Sequence, residues 1–237
     1  MIELEKALET ILASIPAPKP EAVPLAEAYL RVAIEEILTL TDLPPFDNSA
    51  VDGYAVRSRD IASANAQNPV RLQLAGRVAA GEKFDGELSA GQCIRIFTGS
   101  TVPPGADAVA MQEDTQVDAN RSGEVLFLDS AKAWENIRFR GEDVKRGVTI
   151  SAAGTRLGAT QIALLAASGV ARITSGRRPS VALLATGSEL REAANTPELA
   201  PGQIYESNRA ALTPLIAAAG GVPSIFPIVP DDAEATR

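Results

Sequence analysis

Apolar and polar positions follow different periods in successive parts of the chain. In residues 3–14, ELEKALETILAS, Leu4, Leu8, Ile11 and Leu12 recur at helical spacing and predict an amphipathic helix. Pro16, Pro18 and Pro20 end it, because proline removes the donor a continuing helix needs. A second short helix is expected over 24–31, with Pro24 in its first turn. Residues 32–42 then extend toward a double proline. From about 48 to 141 the pattern changes to short β-type runs: VDGYAV, VRLQLAGRV, QCIRIFTG, DAVAMQE and EVLFLD. Gly, Pro, Asn and Asp separate these runs and no long helix interrupts them, which predicts a small all-β, barrel-like domain.

After residue 142 the pattern changes again. SAAGTRLGATQIALLAASG carries a helix over roughly 160–168, closed by Gly169. VARIT is a short strand, GRRPS a polar joint, and VALLAT an apolar run of buried-strand type. Residues 205–219 predict a helix with Ser207 or Asn208 near its start and Gly220-Gly221 at its end. VPSIFPIV is another strand, weakened by Pro223 and Pro227. Strand, helix, strand in this order is a βαβ unit. The closing PDDAEATR reads as a helix start capped by Asp231 or Asp232. Two parallel strands leave both sheet faces uncovered, so the domain is expected to continue beyond Arg237; a frayed tail after a complete fold is the alternative. The fold class is α+β multidomain.

The totals narrow the chemistry. In 237 residues, 46% are hydrophobic and 22% charged, which fits a soluble globular chain of one large domain or two smaller ones. No apolar run approaches a membrane span, and MIELEKALET is too acidic for a signal peptide. Cys93 is the lone cysteine, which suits a reducing cytoplasm. A net charge of −8 disfavours a nucleic-acid partner. There is no histidine, which excludes a Ser-His-Asp triad, a Cys-His pair and any His-ligated metal. Acid–base work falls to carboxylates, lysines, tyrosines or water, and a metal would be a hard cation such as magnesium.

The stretch LPPFDNSAVDGYAV, residues 43–56, concentrates turn chemistry ahead of a strand. Pro44-Pro45 fixes φ twice; Asp47, Asn48 and Ser49 bond their own backbone. The plain reading is a stiff lead-in to a strand, and the sharper one holds Asp52 there to meet a ligand. Other loops share this style. Thr98 and Gly99 follow the strand CIRIF. Arg138, Arg140, Glu142 and Asp143 lie in NIRFRGED. Gly187, Ser188 and Glu189 sit beyond VALLAT, where open α/β sheets bind ligands, and Asp231 and Asp232 occupy the matching place after the next strand. Each has a plainer alternative: Glu189 as the start of a short helix, Thr98 as the close of a turn, and the arginines as surface partners of Glu142 and Asp143. The pattern describes acidic loops and a small arginine cluster able to hold magnesium and an anion, and names no reaction.

Taken together the segments resemble the molybdopterin molybdenumtransferase family, which includes the E domain of gephyrin. LPPFDNSAVDGYAV is close to that family's signature, which commonly has Met where this chain has Val51. IRIFTGSTVPPGADAVAMQE, NIRFRGEDV, GTRLGATQIALLAASG, VALLATGSEL, GQIYESNR and VPDD follow in the family's order. The resemblance implies a cytoplasmic, elongated homodimer with four domains per subunit. Residues 1–24 would be a helix packing on the α/β domain, 25–47 and 142–177 a mixed linker and dimerisation domain, 48–141 the inserted β domain, and 178–237 the start of a Rossmann-like α/β domain that binds molybdopterin.

The implied activity is insertion of molybdate into adenylylated molybdopterin with release of AMP, requiring Mg2+, downstream of a molybdopterin adenylyltransferase-type enzyme. By motif position Asp52, Thr98, Asp143 and Glu189 are the implied catalytic residues. Arg138, Arg140, Gly187, Ser188 and Asp231 would bind the pterin ligand, and Asp52, Glu189 and Asp231 the metal. Full-length members continue with a GGVS-type loop, a further aspartate and a Pro-Gly-Asn-Pro segment. None of these is in this chain, so it is expected to be inactive or weak alone. A non-catalytic dimerising scaffold or interaction module is the alternative function; a nucleic-acid-binding barrel is disfavoured by the charge.

Overall fold

The computed structural model describes residues 2–117, 123–232 and 234. The chain folds as two compact units: Met1–Ile37 with Thr149–Ala166 and Val170–Arg237, and Leu38–Val148 with Ala167–Gly169.

The unit around Leu38–Val148 is built on one mixed sheet. Its strands are β1 (Gly53–Val56), β2 (Val70–Val78), β3 (Gln92–Ile96), β4 (Ala108–Met111), β5 (Thr115–Val117) and β6 (Glu124–Phe127). They lie in the order β4-β1-β3-β2-β6-β5, with only β2 and β3 parallel. Among the described residues the two outer strands do not pair with each other, and the sheet is an open half-barrel. A register shift between Leu74 and Gly76 supplies the local twist that bends β2.

Alternation along the strands puts apolar side chains on both faces. Tyr54, Val56, Cys93, Ala108, Ala110, Val125 and Phe127 form one cluster. Ala55, Ile94, Ile96, Val109 and Ile137 belong to another. Enclosing each large apolar side chain contributes about 1.5–3 kcal/mol. Double-sided burial is why β1 is buried at every position, a pattern the weak alternation of VDGYAV only hints at. The five expected strands are present; the sixth, β5, was not legible in EDTQV.

The other unit holds α1 (Leu4–Ser14), α2 (Ala159–Ala167, which runs one residue past its boundary) and α3 (Asn208–Ala219). The apolar face of α1 is uncovered in this chain: it buries no residue, and Leu4 is 77% exposed. The helix expected over 24–31 is instead a strand, Pro20–Pro24, followed by a single 3-10 turn, Leu25–Glu27. Antiparallel pairing with Arg172–Gly176 holds residues 20–24 extended and overrides local helix preference. Val23, Leu25, Leu157, Leu165 and Ile173 pack beside this pair.

Helix α2 and Gly169, at φ 87°, match the expected boundaries closely. Strands Ser180–Leu183 and Val222–Ile225 pair in parallel, with α3 in the connection between them. That is the expected βαβ unit. The helix start expected after Asp231 or Asp232 involves Ala233 and Ala235, which lie outside the described residues.

Candidate functional site

Two clusters emerge, one in each unit. In the half-barrel unit three motif segments meet at Asn48–Ser49. Ile137–Arg138 pairs antiparallel with these two residues. From the other motif, the Gly99 N–H donates to the Ser49 carbonyl at 2.8 Å and the Ser49 N–H to the Ser100 carbonyl at 3.0 Å. Asn48 and Ser49 are buried, so what reads locally as turn chemistry is the junction of LPPFDNSAVDGYAV, FTGST and NIRFRGED.

Beside this junction Asp52 is held in one orientation. Its Oδ1 accepts both the Thr98 N–H and the Thr98 hydroxyl, each at 2.8 Å. These two donors, the backbone one first, hold the carboxyl below its ordinary range, with the Arg95 charge assisting and desolvation opposing. The Thr98 hydrogen is therefore committed to Asp52, and an oxyanion takes it only by displacing that carboxylate. Arg95 was missed from the sequence. Its guanidinium lies 5.1 Å from the Tyr54 ring centroid and 5.0 Å from that of Phe97, and donates to the Gly53 carbonyl at 3.2 Å. The signal available was an arginine inside the apolar run CIRIF.

The arginines of NIRFRGED divide. Arg138 pairs with Asp143 at 2.5 Å, which raises the arginine's pKa. The pair is exposed and contributes little to stability. Arg140 turns to Asp42 instead, its Nε 2.5 Å from that carboxylate, while its backbone N–H donates to Asp47 at 2.7 Å. Asp42 also accepts the Arg146 N–H, and that bond first and Arg140 second lower its pKa. Asp42 is a second residue the sequence reading did not single out, since its partners lie about a hundred positions away. Glu142 accepts the Phe139 N–H at 2.8 Å, a turn role.

The second cluster lies at the carboxyl ends of the two parallel strands. Ser188 and Asp231 bond reciprocally: the Ser188 N–H donates to Asp231 Oδ2 at 3.1 Å and the Asp231 N–H to the Ser188 hydroxyl at 3.0 Å. This joins the loops beyond both strands. Gly187 has φ 151°, and its missing Cβ makes room for Glu189: an added Cβ would lie 2.6 Å from that carboxylate. Glu189 is exposed and its carboxylate has no protein donor among the described residues. A cavity of about 310 Å3 opens alongside, between Thr186, Asn208, Arg209 and Leu212. Arg209 is buried and neutralised by Glu192 at 2.8 Å and Glu206 at 2.9 Å.

Thus Asp52, Thr98, Arg138, Arg140 and Asp143 belong to one unit, and Gly187, Ser188, Glu189 and Asp231 to the other. Among the described residues no three acidic or cysteine side chains form a metal cage. Oxygen donors in ones and twos suit magnesium, which keeps water and takes substrate phosphate for its other positions.

Known proteins are similar to this chain in sequence and fold. A crystal structure of a molybdopterin biosynthesis MoeA protein from Pyrococcus horikoshii matches with a TM-score of 0.87 at 36% identity, covering 97% of this chain and 60% of that one. A second, from the same organism, gives 0.83 at 38% identity, covering 100% and 59%. A molybdopterin molybdenumtransferase of Nostoc is 40% identical over 212 residues, which is 90% of this chain and 48% of the relative. One of Haemophilus influenzae is 40% identical over 210 residues, 88% and 50% respectively. The chain spans about half the length of the curated relatives it matches. Residues 2–169 match the family model described as the MoeA N-terminal region, domains I and II, and the chain belongs to that family.

Proposed function

We propose that the protein carrying this chain inserts molybdate into adenylylated molybdopterin and releases AMP. The observation that carries this reading is the junction at Asn48–Ser49, where three family segments converge and present Asp52 fixed by Thr98. The names of the relatives, molybdopterin molybdenumtransferase, support the same role.

The residues suit the reaction. Cleaving a phosphoanhydride needs positioning and charge stabilisation more than a protein nucleophile, so a chain without histidine is equipped for it. Asp52 is kept ionised and aimed; Glu189 offers a carboxylate with no protein donor. The Ser188–Asp231 pair holds the loop that carries Glu189, and Arg138 with Asp143 orients the anionic substrate. Magnesium, held by Asp52, Glu189 or Asp231, would neutralise phosphate charge. On this reading the protein works as a cytoplasmic homodimer in the four-domain scheme of 1–24, 25–47 with 142–177, 48–141 and 178–237. It receives its substrate from a molybdopterin adenylyltransferase-type enzyme. Residues 1–237 alone supply part of the pterin site and turn over weakly.

Molybdate-dependent AMP release by the full-length protein tests the proposal. Asp52→Ala and Glu189→Ala are each expected to slow it by at least about tenfold, the scale of one positioned charged group. Unchanged turnover in either variant removes that residue's role, and no AMP release by the unmodified protein removes the reading.

A further inference from the structure

In a chain of net charge −8, one concavity of the unit containing α1, α2 and α3 is basic. Arg31, Arg156, Arg177 and Arg178 line a cavity of about 310 Å3 that holds none of the residues of the Asp52 and Glu189 clusters. Backbone bonds bring their segments together. The Leu157 N–H donates to the Arg31 carbonyl at 2.8 Å, the Gly176 N–H to the Val32 carbonyl at 2.9 Å, and the Arg177 N–H to the Lys19 carbonyl at 2.8 Å. Gly176 permits the close approach: a Cβ there would lie 3.1 Å from Pro18 Cβ. The arginines thus converge because the strands do, at a repulsive cost that an anion would remove.

Little in the protein answers this charge. Glu21 pairs with Arg31 at 2.8 Å. Among the described residues no carboxylate pairs with Arg156, Arg177 or Arg178. The end of α3, at Ala219 and Gly220, also lines the cavity, and a helix C-terminus supplies only about half a negative charge. The side chain of Arg31 is 12% exposed, and its Nε–H is enclosed without an acceptor. A guanidinium so largely withdrawn from water keeps its charge poorly screened, which favours an anion in the adjoining cavity.

The remaining walls are apolar: Pro18, Leu30, Val32 and Pro179. The volume is at the lower end of small-molecule pockets. We propose that this cavity binds a phosphomonoester with a compact apolar body, the phosphate on the arginines and the body against these walls. The site shares no residue with the Asp52 or Glu189 clusters, so the proposal stands or falls apart from the transferase reading.

Titration calorimetry of the intact chain at low ionic strength tests it, with inorganic phosphate and phenyl phosphate as probes. Saturable binding of both is expected, with phenyl phosphate at least about tenfold tighter because its ring leaves water. The double variant R177Q/R178Q, checked for an unchanged thermal melt, should weaken both by at least about tenfold. Glu21→Gln removes the opposing carboxylate and should tighten both severalfold, a gain that misfolding cannot produce. No saturable heat by about 10 mM, or binding indifferent to R177Q/R178Q and Glu21→Gln, overturns the site. Phosphate binding without a gain for phenyl phosphate overturns the apolar half of the assignment.

Discussion

Replacing Gly53 by alanine tests how tightly the half-barrel is built around Asp52. Gly53 lies in β1, paired with β3 on one side and β4 on the other. A Cβ there would lie 2.0 Å from the Ala110 carbonyl oxygen and 3.2 Å from Val109 Cγ1. The nearer obstacle is backbone, so no rotamer change relieves it. A Cβ needs at least about 3 Å, and the strands must part by about 1 Å. Parting them weakens the pairing of Gly53–Val56 with Ala108–Met111 and the bond from the Gln112 N–H to the Asp52 carbonyl, 3.0 Å long. Two or three backbone bonds at about 1 kcal/mol each, with overpacking of about 1–3 kcal/mol, give a loss of about 3–6 kcal/mol. Urea unfolding followed by tryptophan fluorescence measures it. Gly91→Ala is the control: φ is 75° there and nothing lies within 4 Å of an added Cβ, so only backbone strain of about 1–2 kcal/mol is expected. A Gly53→Ala loss under about 1 kcal/mol, or one no larger than the control's, would refute the close approach.

Two further outcomes follow from the titrating groups. The Asp52 pKa is lowered in the folded protein, so its clamp on Thr98 is intact above the ordinary carboxylate range and is lost as pH falls through the lowered value. Thr98→Val should move the Asp52 midpoint, followed by carboxyl 13C shift, only part way back up, because the backbone N–H remains; no movement would discount the hydroxyl bond. Burial pushes the Cys93 thiol up to about 12. At pH 8 its thiolate fraction is then about one in ten thousand, so iodoacetamide should label it only on unfolding. Rapid labelling of the folded chain would contradict the enclosed position on β3.

Much of the fold was legible because its signals are local. VRLQLAGRV became β2 at the same boundaries, and Gly169 and Gly220 end α2 and α3 at positive φ, where glycine carries no steric penalty. Residues 24–31 were misread because the bonds that hold them, from the Leu25 N–H to the Ala171 carbonyl and from the Leu30 N–H to the Leu157 carbonyl, reach segments more than a hundred positions away. The site divides in the same way. Asp52 and Thr98 were singled out as candidates from their motifs, but their mutual bond was not legible, and Arg140 was expected near Asp143 yet pairs with Asp42.

Periodicity and turn residues were enough to place most of the strands and helices, the absence of histidine to exclude imidazole chemistry, and the wording of the motif segments to carry the family likeness. These depend on neighbours a few positions apart or on composition alone. Which carboxylate meets which donor, that Asn48–Ser49 joins three motifs, and that four arginines from distant segments share one cavity were decided only by tertiary structure. Such contacts depend on strand register and long-range pairing, and a one-residue slip in a strand would send every side chain to the opposite face.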